Sequence, residues 1–156
     1  ISKAARGSRR EAEWLQRRAL HHIRSLSQCR VPGAAALRKA DLSLLLTTDS
    51  GIRRINKEWR GKDRETDVLS FPLLTPTERR GLKAGTGRWE LGDIAISLDR
   101  ARAQSKEHGL TLLQELDLLL VHGLLHLLGF DHEESPSAEK RMRAWEKKLI
   151  GRRGLL

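Results

Sequence analysis

Apolar residues recur along the chain first at helical spacing. Residues 11–26, EAEWLQRRALHHIRSL, place Trp14, Leu15, Ala19, His22, Ile23 and Leu26 on one stripe with arginines elsewhere, which predicts an amphipathic first helix. Pro32 and Gly33 break the chain. LSLLLTT, 42–48, predicts a buried strand, and Asp49 or Ser50 is placed to cap a short helix over SGIRRINKEWRG that stops at Gly61. TDVLSFP, 66–72, alternates Val68 and Ser70 against Leu69 and Phe71 and ends at Pro72, as a second strand does. Residues 73–90, with Pro/Thr turns and glycines, predict a long flexible connection. LGDIAIS, 91–97, predicts a third strand, and LDRARAQSKEHG a helix ended by Gly109.

Residues 110–129, LTLLQELDLLLVHGLLHLLG, are apolar on nearly every helical face, which predicts a central helix buried on nearly every side and stopped by Gly129. SPSAEKRMRAWEKKLI opens with Ser-Pro and carries Met142, Trp145 and Leu149 on a last amphipathic helix. The expected architecture is α+β: a small mixed sheet of three to four strands packed against about five helices. Residues 1–10 form a basic tail and 11–156 a single domain.

Composition adds limits. A chain of 156 residues has room for one core. One cysteine, Cys29, rules out an intrachain disulfide and suits a reducing compartment. The nearly apolar run Leu118 to Phe130 is too short and too polar to span a bilayer, so no membrane partner is expected. The N-terminal residues lack the apolar stretch of a signal peptide, and the expected location is cytoplasmic. The acid-free ISKAARGSRR leaves an organellar origin open, as the remnant of a transit peptide.

The net charge is +10. Residues 1–40 carry +8, residues 41–138 carry −3 and residues 139–156 carry +5, so the excess sits at the two ends. A polyanion accounts for that, with nucleic acid ahead of an anionic membrane surface. Aromatic residues amount to 4 %, which argues against a large base-stacking platform and for phosphate-dominated contacts.

Candidate chemistry gathers in HGLLHLLGFDH. His122 and His126 are one helical turn apart and project from one face. Gly129 lets the chain reverse and bring His132 back towards them. A lone histidine on a buried helix is more often a hydrogen-bonded core residue. Three in a leucine-rich segment would each need a polar partner, so a shared metal is the better account. Three neutral imidazoles suit Zn²⁺ with a fourth position open, as in a catalytic site where bound water has a pKa near ~7. The expected site is the C-terminal end of the central helix and the loop after it. The spacing equals that of the metzincin proteases, but Gly123 stands where the zincin motif has its glutamate base, which argues against peptide hydrolysis. His21, His22 and His108 lack such spacing and read as surface or rim residues.

The second candidate stretch, INKEWRGKDRETDVLSFP, holds Arg60, Lys62 and Arg64 among Asp63, Glu65 and Asp67 just before a strand. Taken alone it is a charged loop, although a guanidinium there can grip phosphate bidentately. Together these stretches resemble the YbeY family of metal-dependent endoribonucleases: HGLLHLLGFDH is similar to its signature, WRGKDRETDVLSFP to its second block and LGDIAIS to its third, across about residues 42 to 150. The resemblance implies one zinc ion on His122, His126 and His132, a functional Arg60 beside it, and Ser70 and Asp93 on strands near the site. Asp131 is expected to shape the turn or orient a ligand. The resemblance also implies single-strand RNA cleavage in 16S ribosomal RNA 3′-end maturation and ribosome quality control, with the small ribosomal subunit as partner. Two rival expectations are a ribosome-associated RNA-binding factor with a non-catalytic zinc, and a metallohydrolase of other substrates.

Overall fold

In a computed structural model, the structure describes residues 9–29, 37, 39–81, 88–130 and 135–151. In chain order the elements are α1 (Arg9–Ser27), β1 (Ala40–Thr47), α2 (Asp49–Arg60), β2 (Val68–Pro72), α3 (Pro76–Gly81), β3 (Trp89–Ser97), α4 (Leu98–Glu107), α5 (Leu112–Leu127) and α6 (Pro136–Ile150). The sheet order is β1-β3-β2, with β1 parallel and β2 antiparallel to β3. Among the described residues this is the expected α+β architecture, with three strands, five longer helices and the six-residue α3.

The central strand divides two cores. Ile94 and Ile96 of β3 join the main cluster with Leu116, Leu120 and Leu124 of α5. Ala95, on the other face, packs with Ile52 of α2 and Leu69 of β2. Helix α5 touches α1, α4, α6, β2 and β3. That enclosure explains why its apolar residues run all round it, and each fully buried leucine contributes roughly 1.5–3 kcal/mol. A capping box closes its N-terminus, where Thr111 accepts from Gln114 N and Gln114 caps in return.

Several local expectations are corrected. Strand β1 is not buried on both faces: it is a sheet edge among the described residues, with Leu44 and Leu46 inward and Asp41 and Ser43 exposed. The cap of α2 is Thr48, whose Oγ1 accepts from Gly51 N. Asp49 is committed elsewhere, its Oδ1 accepting from Ser97 Oγ at 2.6 Å. The connection 73–90 contains helix α3, and residues 82–87 lie outside the described residues. Helix α1 begins at Arg9, so Arg9 and Arg10 belong to it rather than to the expected tail. Residues 1–8 lie outside the described residues. No single described helix is long and apolar enough to cross a membrane.

Gly92 is required by a close approach. It follows a register irregularity between β1 and β3 and has φ of 139°, and a Cβ there would lie 2.1 Å from the Phe71 carbonyl oxygen. On the other side of β3, Asp93 lies opposite Phe71 and Ile94 opposite Ser70.

Candidate metal centre

Helix α5 delivers His122 and His126 at its last two turns. Their Nε2 atoms are 3.1 Å apart and their ring centroids 4.7 Å apart. Two imidazole nitrogens on one tetrahedral zinc lie about 3.3 Å apart, given bonds of about 2.05 Å. The pair therefore has the separation that a shared metal requires.

The ring of His122 is held from behind. Its Nδ1 lies 2.8 Å from Oε1 of Glu146 on α6. A carboxylate can only accept, so Nδ1 carries the proton and Nε2 presents its lone pair. This carboxylate–histidine arrangement is the usual second layer behind a metal-ligating imidazole. Nothing in the sequence singled out Glu146: its proximity depends on how α6 packs on α5, and its only trace is a position one turn after the buried Met142. A cleft of about 410 Å³ beside His122 is lined by Glu139, Met142, Arg143 and Glu146.

Two glycines fix the local path. Gly123 faces Ile94, and a Cβ at that position would meet three Ile94 side-chain carbons at 3.0–3.3 Å. A larger residue there, such as the glutamate base of a zincin, would press on the Ile94 side chain, which would have to shift by a few tenths of an ångström. Gly129, at φ of 84°, ends the helix in a Schellman motif: Gly129 N donates to His126 O and Phe130 N to Leu125 O. Phe130 then packs edge-on against Trp145 of α6, 6.3 Å between centroids. The helix stop expected at Gly129 is thus present. His132 and Asp131, the expected third ligand and turn residue, lie outside the described residues.

Arg60 closes α2, and Gly61 follows as its left-handed cap, at φ of 67°. The Arg60 Nη2 donates to the Ser70 carbonyl oxygen at 3.0 Å, and the guanidinium lies 5.6 Å from the Phe71 ring. Ser70 sits opposite Ile94 on β3, and Ile94 abuts Gly123, the neighbour of His122. That rung links the strand Arg60 touches to the strand on which α5 packs, while the guanidinium itself lies over Phe71, on the face opposite α5. Ser70 is buried on the α5 side of the sheet. Asp93 is exposed and, opposite Phe71, belongs to the other face, so the structure does not bring it to the histidine pair. Around this turn Arg53 and Lys57 both bind Asp63, whose carboxyl is held below its ordinary value by the Lys57 and then the Arg53 hydrogen bond. Such exposed pairs contribute little to stability.

His22 corrects the surface reading given to it. It is fully buried, and its Nε2–H donates to Asp117 Oδ1 at 2.8 Å, while Arg18 binds the same carboxylate. Its position on the α1 stripe was the signal that should have prevailed. His108 is half-exposed but pairs with the buried Glu115 at 2.8 Å, two turns before His122 on α5.

The fold and the convergent imidazoles define an α+β domain with a candidate metal centre on its central helix. The sequence model described as endoribonuclease YbeY matches residues 8–154. Among curated relatives, endoribonuclease YbeY of Myxococcus xanthus is 52% identical over 117 residues, covering 74% of this chain and 37% of that protein. The Sulfurihydrogenibium enzyme of the same name is 49% identical over 114 residues, covering 73% of this chain and 70% of its own. A chloroplastic relative from Arabidopsis thaliana is 44% identical over 110 residues, covering 70% of this chain and 18% of that protein. The solution structure of TM1509 from Thermotoga maritima shares the fold, with a TM-score of 0.56 at 22% identity over 94% of this chain and 85% of that one. The chain belongs to the endoribonuclease YbeY family.

Proposed function

We propose that the chain is a zinc-dependent endoribonuclease that cleaves single-stranded RNA, with the 3′ end of 16S ribosomal RNA on the small ribosomal subunit as its substrate, in the bacterial cytoplasm. The observation that carries the metal part is the 3.1 Å separation of the His122 and His126 Nε2 atoms. Family membership carries the ribonuclease part. The residues that would hold zinc are His122 and His126, with His132 as the third. Bound zinc supplies Lewis-acid polarisation of a phosphoryl oxygen and lowers the pKa of water.

The chain's own residues do the rest. Glu146 keeps the His122 ring in one tautomer and orientation. Arg60 is anchored by one Nη2 bond to Ser70 O and by the Phe71 face, and among the described residues its Nε and Nη1 have no partner and can donate to a phosphate. A guanidinium fixed in this way stabilises the charge that develops on the phosphoryl oxygens without having to reorganise. The basic ends of the chain would add sequence-independent affinity that weakens with salt.

A defined single-stranded RNA incubated with wild type and with His126→Ala, prepared in parallel, tests the reading. Site-specific cleavage by wild type alone supports it. Equal cleavage by both, or by neither, overturns it.

A further inference from the structure

Trp59 breaks the burial pattern of its own helix. Ile52 and Asn56 of α2 are buried and Ile55 is half-buried, and Trp59 continues that stripe one turn further. Yet its surface is 69% exposed. Among the described residues the ring meets one other aromatic ring, Phe71, edge-on at 6.4 Å and an interplanar angle of 61°. Phe71 is also the ring beneath the Arg60 guanidinium. An exposed indole therefore stands beside a guanidinium with donors unpartnered among the described residues, both against the same phenyl ring.

The charge around it is equally distinct. Residues 53–64 contain six Lys/Arg and two Asp/Glu, all exposed except Ile55 and Asn56, inside a central segment that is net negative. Arg53 and Lys57 are spent on Asp63, while Arg60 makes no ion pair among the described residues. A partner for this patch must offer a flat aromatic face and an anion one residue's reach apart. Unpaired nucleotides do so, because each base has a π-face and each is tethered to a phosphate. Duplex RNA does not, since its bases are already stacked.

We infer that Trp59 is a stacking platform for one unpaired nucleobase of the substrate strand, whose adjoining phosphate reaches Arg60. This rests on the RNA reading above and extends it by naming the residue that positions the strand. It also revises the composition argument: one placed indole provides a stacking site without a large aromatic surface.

Fluorescence anisotropy with the full purified chain tests it, using a labelled 12-mer oligouridylate and an abasic 12-mer of the same backbone, with oligomer integrity checked by gel. Trp59→Ala should weaken uridylate binding about tenfold and Trp59→Phe much less, whereas binding of the abasic strand should be the same in all three proteins. Equal uridylate affinity in wild type and Trp59→Ala overturns the inference and leaves the indole to a protein partner. An equal loss on both strands overturns it as well, since the base would then not be what Trp59 touches. If wild type binds neither strand, the RNA reading itself fails along with it.

Discussion

Glu146 Oε1 stands 2.8 Å from His122 Nδ1, so a side chain of the last helix orients a ring on the central one. Loss of such a partner typically costs 10–100-fold in metal affinity. Glu146→Ala should therefore weaken zinc binding by about that factor, with Glu146→Gln in between because its amide oxygen still accepts. Competition against a chelator of known affinity measures this without any substrate. Unchanged affinity in both variants would remove Glu146 from the centre.

Arg60 separates catalysis from charge. A lysine supplies the charge but neither the second donor nor the stacking on Phe71. Both Arg60→Lys and Arg60→Ala should lose roughly 10²–10³ in single-turnover cleavage, about 2.7–4 kcal/mol. Zinc content should stay at the wild-type level. Near-normal cleavage by Arg60→Lys would reduce the residue to a point charge.

The Arg18–Asp117–His22 cluster ties α1 to α5. Burial pushes the Asp117 carboxyl up, but the His22 and Arg18 hydrogen bonds more than offset this and leave it below its ordinary value. A carboxyl depressed on folding contributes stability that is fully present above its unfolded value of 3.8 and lost as the pH falls towards the folded one. Asp117→Ala should cost about 3 kcal/mol at neutral pH, because it strands a buried histidine and a half-buried arginine. Urea unfolding at a series of pH values should show a shallower acid decline for Asp117→Asn than for wild type. Parallel declines would mean that this carboxylate does not set the acid limit.

His108 behaves in the opposite sense. Its hydrogen bond to Glu115, and then the charge of that carboxylate, raise its pKa above 6.5. The pairing is complete below the unfolded value and is lost as the pH rises through the raised one. Proton NMR should find the His108 midpoint above 6.5 in wild type and closer to it in Glu115→Gln. The same midpoint in both would dissolve the pair.

Much of this arrangement was legible in the chain. The apolar run of α5, the Ser135 cap with Pro136 behind it and Gly129 after the helix all act through near neighbours, and their signals survive without the fold. The i, i+4 histidines are local in the same way. Glu146 and the burial of His22 were not legible, because each depends on two helices meeting across the core. Asp49 or Ser50 was expected to cap α2, but Asp49 accepts from Ser97, at the end of the neighbouring strand β3, and Thr48 is the cap. The exposure of Trp59 was not legible either, because it depends on what packs around α2 in the fold.

The account stands on one metal held by the α5 histidines. Elemental analysis of purified wild type and His126→Ala tests this most directly. About one zinc per chain in wild type and little in the variant is the expected result, with a lower thermal midpoint for wild type after chelation. Equal zinc in the two proteins would contradict it.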